Sequence, residues 1–333
     1  MSLPLSIPSP SVDWQYFDLT GWINSTFGAS LPGSLRIHAY AICILVGIIA
    51  AVLITNRRLT NRGAEKWVVI DVAIWAVPFG IVGGRFFHVI THPGDYFASA
   101  DQFVHVFYIW EGGLAIYGAL IFGAVGVWFG CRFSGLRFSV FADSLAPGLL
   151  VAQAFGRLGN YFNHELFGMP TDLPWGLEIE STNAAYPTGL PAGTLFHPTF
   201  LYEIIWMLAG VAILLLIERS TPLQWGKAIA FYFVWYGIGR AWFESIRTDP
   251  SLLFFGIRTN VWMSFAAIVL GVVIFVVASR RHTGLVPNAY VPGRAPGERD
   301  TALDSDDTYT EDDEPESVTV GGADDKSSSA PRS

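Results

Sequence analysis

Long apolar stretches recur along the chain and alternate with short polar segments. Spanning the hydrocarbon core of a bilayer as an α-helix takes about 20 predominantly apolar residues. Seven stretches meet or approach this requirement, namely residues 37–55, 68–90, 113–131, 139–156, 199–217, 227–243 and 261–279. The fourth is interrupted by Asp143, Pro147 and Gln153, and the sixth contains Arg240. The pattern predicts an all-α polytopic membrane protein with about seven transmembrane helices, and six or eight spans are the alternatives.

Basic residues accumulate in alternate connections between the predicted spans and thereby predict an orientation. Cytoplasmic loops of membrane proteins carry an excess of Lys and Arg. The bases that follow the first, third, fifth and seventh spans are Arg57, Arg58, Arg62, Lys66, Arg132, Arg137, Arg219, Lys227, Arg280 and Arg281. The opposite connections, residues 91–112 and 158–198, contain no Lys or Arg. The N-terminus is therefore predicted outside the cell and the C-terminus in the cytoplasm.

This topology divides the chain into three predicted parts. Residues 1–36 form an extracytoplasmic N-terminal segment. Residues 37–281 form the membrane domain, in which residues 158–198 make a small extracytoplasmic head. Residues 282–333 are rich in Pro, Gly, Ser and acids, and such a segment cannot bury enough apolar surface to offset the entropy of ordering it. They are predicted to form a disordered acidic cytoplasmic tail.

Composition and charge narrow the possible functions. Although the net charge is −8, 52% of the residues are hydrophobic. Residues 282–333 hold 12 acids and 4 bases, which leaves 16 of each in the rest of the chain. A neutral body without a basic patch argues against nucleic-acid binding. The two cysteines, Cys43 and Cys131, lie in or beside apolar runs and are expected to be buried, and no metal or cofactor is predicted.

The arginines that do not set the orientation indicate a polar site within the membrane domain. They are Arg36, Arg85, Arg157, Arg240, Arg247 and Arg258. Arg36 and Arg258 are interpreted as residues that snorkel to the interface. Ionisable groups at membrane depth usually face the protein interior and mark functional sites, and a guanidinium binds phosphate through two nitrogens. The remaining four therefore predict a substrate with a phosphate-bearing head group, with Asp143, Glu165, Glu203 and Glu244 as partners.

The densest polar cluster spans residues 156–168, where the fourth predicted span leaves the membrane. Its glycines permit close backbone approach and positive φ. Its polar members are Arg157, Asn160, Asn163 and Glu165. A helix end with turn glycines would explain the glycines but not so many polar groups between Phe155 and Phe167.

Two further groups accompany it. Arg240, Glu244 and Arg247 recur at i, i+4 and i+7 on one predicted helix face, where a third charge favours an anion site over a closed ion pair. His197 and Glu203 open the fifth span, and a histidine at such a position is either a capping residue or a base.

At these positions the sequence resembles the bacterial prolipoprotein diacylglyceryl transferases. The motif G-R-x-G-N-x-x-N-x-E-x-x-G is matched by Gly156, Arg157, Gly159, Asn160, Asn163, Glu165 and Gly168. The motif H-P-x-x-x-Y-E is matched by His197, Pro198, Tyr202 and Glu203. The motif Y-G-x-x-R-x-x-x-E is matched by Tyr236, Gly237, Arg240 and Glu244. A tyrosine in the first span, Tyr40, and the G-G-R element at Gly83, Gly84 and Arg85 complete the resemblance, which covers about residues 35–280.

The resemblance implies an enzyme of the bacterial cell membrane that uses phosphatidylglycerol and the signal peptide of a preprolipoprotein. It would transfer the diacylglyceryl group to the thiol of the lipobox cysteine and release glycerol phosphate. The implied catalytic residues are Arg157, Arg240, Glu244, Tyr117 and His197. The implied substrate-binding residues are Arg157, Asn160, Asn163, Glu165, Tyr40, Arg85, Asp143, Glu203, Tyr236 and Arg247.

One position departs from the family pattern. Many members carry H-G-G-L at the start of the third span, where this chain has Tyr117-Gly-Ala-Leu120. A tyrosine with an ordinary pKa of about 10 is a poor base near neutrality. We interpret Tyr117 as a hydrogen-bonding or orienting residue, which leaves His197 or a thiolate formed in the field of the arginines for the base.

A membrane transporter or flippase for a polar-headed substrate is the alternative from a different class. Such proteins are often built from repeated halves with interrupted helices in matching positions. The sequence shows no such symmetry.

Overall fold

A computed structural model of the protein describes residues 6–97, 99–249, 251, 253–296 and 298. The α-helices of these residues are α1 (Leu19–Phe27), α2 (Ala39–Asn61), α3 (Val68–Thr91), α4 (Pro93–Tyr96), α5 (Ala100–Val104), α6 (Ile116–Ser134), α7 (Phe138–Phe162), α8 (Thr199–Ser220), α9 (Lys227–Ile246) and α10 (Thr259–Arg281). Short 3₁₀ turns cover Val12–Trp14, His105–Phe107 and Ile109–Glu111. The strands form antiparallel pairs: β1 (Tyr16–Asp18) with β2 (Arg36–His38), β3 (Leu177–Glu178) with β4 (Leu195–Phe196), and β5 (Leu253–Phe254) with β6 (Ile257–Arg258).

Long apolar helices dominate the fold, as the hydropathy pattern predicts, and the chain is an all-α polytopic membrane protein. Helices α2, α3, α6, α7, α8 and α10 are each long and apolar enough to cross a membrane. Helix α9, which the sequence predicts as a seventh span, is not among these six and carries Arg240 and Glu244. The count of seven and the orientation of the spans stay predictions.

Helices that pack closely do so through small residues. Helix α3 lies along α6, α2 along α7 and α10 along α9. A Cβ atom on Gly118 of α6 would lie 2.2 Å from the carbonyl oxygen of Gly83 on α3. Small residues let the backbones of transmembrane helices approach closely. This close packing favours helix association in lipid, where the hydrophobic effect does not drive it.

The core that supports the site joins α7, α8 and α9. Ala146, Leu150 and Ala154 of α7 are buried against a second set of buried residues. This set comprises Met207, Leu214, Leu223, Ala228 and Tyr232. The three helices therefore hold the polar groups at their ends in fixed relative positions.

A small head follows α7, and the N-terminal segment completes it. Phe167, Leu177 and Phe196 form a buried apolar cluster in the head. Ile7 pairs with Leu177, and its N–H donates to the carbonyl oxygen of Gly176 at 2.9 Å. The segment 1–36, predicted only as an extracytoplasmic extension, thus supplies part of the head.

Residues 282–292 fold back onto the loops at the predicted cytoplasmic end, and we call them the docked C-terminal segment. The N–H of Arg137 donates to the carbonyl oxygen of Ala289 at 2.9 Å, and Arg137 Nε donates to that of Tyr290 at 3.0 Å. The hydroxyl oxygen of Tyr290, which is buried, accepts the N–H of Glu65 at 3.0 Å. The ring of Trp225 stacks on that of His282 at 4.0 Å.

The docked segment lies within the predicted tail, which begins at His282. Residues 282–292 contain no acid and bond to the neighbouring loops, and Ala289 and Tyr290 are buried. A separate unit begins at Gly293, and in its described part the N–H of Glu298 donates to the carbonyl oxygen of Ala295 at 3.1 Å. The predicted disorder of the acidic residues 299–333 concerns residues outside those that the structure describes.

Candidate active site

Charged and polar side chains from α6, α7, α8, α9 and α10 converge at one end of the bundle, which is the predicted outer end. The central contact joins α7 to α8. Arg157 Nε lies 2.7 Å from Glu203 Oε2, and the Glu203 side chain is only 2% exposed. A buried carboxylate without a partner costs several kcal/mol, by order of magnitude about 3–5. Each residue of the pair therefore holds the other in place.

A second ion pair lies within α9. Arg240 Nη2 is 2.9 Å from Glu244 Oε2, at the i, i+4 spacing that the sequence predicts. The Nη1 nitrogen of Arg240 is buried and has no hydrogen-bond partner among the residues that the structure describes. Since nearly all buried polar groups in proteins are hydrogen-bonded, this nitrogen is a donor for which a ligand can supply the acceptor.

Arg247 and Arg258 extend the cluster beyond the end of α9. Arg247 Nε donates to Asp249 Oδ1 at 2.6 Å, and Arg258 Nε lies 2.9 Å from Glu244 Oε1. Burial alone would raise the pKa of Asp249, but the hydrogen bond from Arg247 and the charges of Arg247 and Arg258 outweigh it and lower that pKa. The interpretation of Arg258 as a snorkelling residue is thus wrong, because its guanidinium turns inward to two carboxylates.

These pairs form one electrostatic unit. Arg157 interacts with the charges of Arg240 and Arg247 as well as with Glu203. Across the cluster, four arginines (157, 240, 247 and 258) face three carboxylates (203, 244 and 249). Among these directly ion-paired groups the positive charges outnumber the negative ones by one, which suits an anionic ligand; Glu165 joins the network only through Asn160.

The 156–168 motif continues the network from Arg157. Arg157 Nη1 donates to Asn160 Oδ1 at 3.3 Å, and Asn160 Nδ2 donates to Glu165 Oε1 at 2.8 Å. Asn163 Nδ2 donates to the same oxygen at 3.2 Å. The four polar residues of the motif are therefore brought together as predicted.

Backbone conformation in this motif differs from the prediction. Helix α7 extends to Phe162, so Arg157 and Asn160 lie on its last turns and not in a loop. Positive φ occurs at His164 and Leu166, and not at the glycines of the motif. Gly159 instead allows close approach, because a Cβ there would lie 2.6 Å from the ring of Tyr40. Tyr40 thus lies beside the turn that carries Arg157 and Asn160.

Tyr117 enters the cluster from the first turn of α6 through Asn260, a residue that the sequence pattern does not single out. Its hydroxyl donates to Asn260 Oδ1 at 3.1 Å, and Asn260 Nδ2 donates to Glu244 Oε1 at 3.0 Å. Tyr236 also interacts electrostatically with Tyr117 and with Arg157. Two polar residues at the start of a long apolar run, Arg258 and Asn260, were the available sequence signal.

Asp143, which the resemblance implies as a substrate-binding residue, does not lie in the cluster. It is fully buried near the opposite end of α7, 14 residues before Arg157, or about 21 Å along the helix. Its carboxylate accepts the N–H groups of Gly226, Ala228 and Ile229 at 2.8, 2.9 and 3.1 Å. Asp143 therefore caps the start of α9, where an anion is also favoured by the helix dipole.

Arg85 is likewise occupied by protein groups. Its Nε donates to the carbonyl oxygen of Val106 at 2.8 Å and its Nη1 to that of Gly112 at 2.6 Å, and Nη2 donates to the carbonyl oxygen of His105. A guanidinium engaged in this way holds the 105–113 loop through its carbonyl oxygens. Because this loop leads into α6, Arg85 fixes the approach of the chain to Tyr117.

His197 lies in the head, next to Tyr202. Its Nδ1 is 3.3 Å from the hydroxyl of Tyr202, which accepts the indole N–H of Trp175 at 3.0 Å. Its backbone accepts the N–H of Gly168, and the neighbouring Met169 N–H donates to the carbonyl oxygen of Ile246 at the end of α9. These contacts place His197 between the head and α9, and among the described residues none joins its ring to the four arginines.

Comparisons with known proteins point to one family. Residues 28–277 match the family model described as prolipoprotein diacylglyceryl transferase. The chain is 56% identical over 296 residues to the phosphatidylglycerol–prolipoprotein diacylglyceryl transferase of Leifsonia xyli, covering 87% of this chain and 85% of that protein. A protein with the same name, numbered 2, from Streptomyces coelicolor is 45% identical, covering 78% of this chain and 82% of the relative. One from Bifidobacterium adolescentis is 44% identical, covering 74% and 76%.

Proposed function

Because the chain belongs to the prolipoprotein diacylglyceryl transferase family, we propose that it transfers the diacylglyceryl group of phosphatidylglycerol to the lipobox cysteine of a preprolipoprotein. The cysteine sulfur forms a bond to the glyceryl carbon that carries the phosphate. The bond from that carbon to the phosphate oxygen breaks, and its electron pair stays on the oxygen. Glycerol phosphate leaves, the thiol proton passes to a base or to water, and a thioether remains.

The observation that carries this proposal is the buried, unpartnered Nη1 of Arg240 within the arginine cluster. Charge develops on the phosphate oxygen as the carbon–oxygen bond breaks, and preorganised donors stabilise such charge most effectively where water is excluded. Arg240 supplies this donor. Arg157, held by Glu203 and Asn160, binds the phosphate of the head group from α7.

The same excess of positive charge serves the thiol. A cysteine reacts as its thiolate, and nearby cationic groups lower the thiol pKa. The arginine field therefore favours the thiolate, and His197 is a second group that could accept the proton. The hydroxyl of Tyr117 donates a hydrogen bond to Asn260, so we assign Tyr117 a hydrogen-bonding role and not that of the base.

The topology follows from the distribution of bases. We place the protein in the bacterial cell membrane with seven spans, the N-terminus outside and the arginine cluster toward the outer face. The head, residues 158–198, lies beside the cluster and would receive the lipobox segment.

A direct assay tests the proposal. Purified protein is placed in nanodiscs that contain phosphatidylglycerol, with a synthetic lipobox peptide, and the peptide is followed by mass spectrometry. We expect the cysteine to gain the mass of one diacylglyceryl group. Arg157→Ala and Arg240→Ala each remove a donor to the phosphate and should lower kcat by a factor of about 100 or more.

Arg36→Ala is the matched control. Arg36 lies in β2, at the same predicted face, with its guanidinium 4.6 Å from the ring centre of Tyr16 and outside the cluster. Its loss should leave kcat close to that of the wild type. Full activity of both cluster variants would refute the site assignment. An unmodified peptide would refute the transferase, and lipid movement without peptide modification would select the transporter.

A further inference from the structure

Three helices meet in a short chain of hydrogen bonds at the side of the arginine cluster. Tyr117 is the second residue of α6, Asn260 the second residue of α10, and Glu244 lies in the last turn of α9. The tyrosine hydroxyl donates to Asn260 Oδ1 at 3.1 Å, and Asn260 Nδ2 donates to Glu244 Oε1 at 3.0 Å. Among the described residues, the side-chain amide of Asn260 provides the hydrogen-bonded link between the phenol and the carboxylate.

The direction of these bonds follows from the chemistry of the carboxylate. An ionised carboxylate only accepts hydrogen bonds, so the group of Asn260 that faces Glu244 must be its NH₂. Its carbonyl oxygen then faces Tyr117, which must donate. The hydroxyl hydrogen of Tyr117 is used in the hydrogen bond to Asn260. The lone pairs of the phenol oxygen can therefore accept a hydrogen bond from a substrate group.

The carboxylate of Glu244 divides its two oxygens between different tasks. Oε1 accepts from Asn260 and lies 2.9 Å from Arg258 Nε. Oε2 lies 2.9 Å from Arg240 Nη2. Because Oε1 is held at two points, the rotation of the carboxylate is restricted, which keeps Oε2 in ion-pair contact with Arg240 although the two atoms are not aligned for a hydrogen bond. The direction of the unpartnered Arg240 Nη1 therefore depends on Asn260.

We propose that Asn260 is a positioning residue that sets the orientation of Glu244, and through it Arg240, while it fixes the phenol of Tyr117. The proposal deepens the proposed function and rests on it. Asn260 reaches the reaction only through its two neighbours. Loss of its amide should lower kcat and leave the KM for phosphatidylglycerol nearly unchanged, because Arg157 still binds the head group.

Asn260→Asp gives a readout that a purely structural tie between helices would not produce. The new carboxyl keeps the shape of the amide but, when ionised, directs an acceptor at Glu244 Oε1. Protonation restores a donor, so activity should recover as the pH falls. The charged and titratable groups around position 260 are Glu244 and Arg240 from α9, Arg258 from β6, Asp249 before it and Tyr117 from α6.

The test compares kcat, KM and the pH profile of wild type, Asn260→Asp and Asn260→Leu in the peptide assay. We expect kcat at pH 8 to fall by a factor of about 10 or more in both variants. Lowering the pH should restore activity to Asn260→Asp, relative to wild type, but not to Asn260→Leu. The double variant Tyr117→Phe/Asn260→Leu should be no less active than Asn260→Leu alone, because the loss of Asn260 already breaks the hydrogen bonds from Tyr117 to Glu244.

Asn56 is the matched control for the structural role. Its Oδ1 accepts the N–H of Trp67 at 2.6 Å, at the end of the bundle opposite the arginine cluster. Asn56→Leu should lower Tm without changing kcat of the folded protein, and Asn56→Asp should keep the wild-type pH profile. Wild-type kcat in Asn260→Leu, or a wild-type pH profile in Asn260→Asp, would overturn the positioning role. Failure of the wild type to modify the peptide would instead refute the proposed function.

Discussion

The two ends of the helix bundle both carry buried carboxylates and arginines, but they use them differently. At the predicted cytoplasmic end, Arg58 donates Nη1 and Nη2 to Glu218 at 2.8 and 2.7 Å, and Asp143 accepts three backbone N–H groups. At the predicted outer end, a terminal nitrogen of Arg240 has no partner among the described residues, whereas both terminal nitrogens of Arg58 are paired and only its buried Nε lacks one. Terminal nitrogens that are both bound to one carboxylate hold helices together, whereas an unpaired terminal nitrogen is available to a ligand.

The sharpest way to break this comparison is to replace one arginine by lysine at each end. Lysine keeps the charge but loses the planar fork. We expect Arg240→Lys to lower kcat by a factor of about 100, because the donor to the phosphate is displaced. Arg58→Lys should leave kcat within a factor of about 2 and lower Tm, since its partner Glu218 is a protein group.

Both variants are measured in the peptide assay at equal amounts of folded protein. Equal losses of kcat in the two variants would show that the cluster around Arg240 and the pair of Arg58 with Glu218 do not differ in function.

A second prediction concerns Asp143, which the sequence assigned to the substrate and the structure assigns to the start of α9. Asp143→Asn leaves one oxygen to accept three N–H groups, so the free energy of unfolding should fall by about 2–3 kcal/mol. Activity per folded molecule should be retained. Tm in detergent reports the effect on stability, and kcat in nanodiscs reports the effect on activity. A loss of kcat without a change in Tm would instead support Asp143 as a substrate-binding residue.

The docked C-terminal segment provides a third, smaller prediction at the same end. Tyr290→Phe removes the acceptor for the N–H of Glu65 and should cost about 1 kcal/mol of stability. Truncation after Pro292 should change neither Tm nor kcat, whereas truncation after Arg281 should lower Tm. Equal Tm values for the two truncated chains would show that the docked contacts contribute nothing.

The smallest effect is a dependence of stability on pH from Asp249. Its pKa is lower in the folded protein than in the unfolded chain, so it stabilises the fold at pH values above the unfolded pKa of about 4. This contribution is lost as the pH falls through the folded pKa. The difference in Tm between wild type and Asp249→Asn should therefore shrink between pH 6 and pH 3, and a constant difference would contradict it.

The membrane fold and the family were predictable because both are written in continuous or ordered patterns. An apolar run long enough to span a bilayer has few other uses, and the family predicted from five ordered motifs is confirmed by the comparisons. Residues 157, 160, 163 and 165 were predicted to act together because they are close in sequence. Their hydrogen bonds bear out this proximity.

Contacts between distant segments were not predictable. Asn260 and Arg258 precede an apolar run, where a polar residue commonly marks the interface with water, and only the packing of α10 on α9 turns them inward. Asp143 and Arg85 are charged, as substrate-binding residues often are. The sequence does not reveal that backbone groups of distant segments are already hydrogen-bonded to their side chains. The end of α7 was placed too early because its polar last turns face protein and not lipid.

The docked C-terminal segment also bears on how the protein is made and handled. Tyr290 and Glu65, which it joins, are 225 residues apart in sequence, and the segment follows all of the described helices. The loop after α2 therefore cannot make this contact until the segment after α10 has been synthesised, so this end of the bundle is completed after the helices. For the same reason, an affinity tag or fluorescent protein should be joined beyond Pro292, because a fusion inserted between α10 and Tyr290 would leave these loops without their final contact.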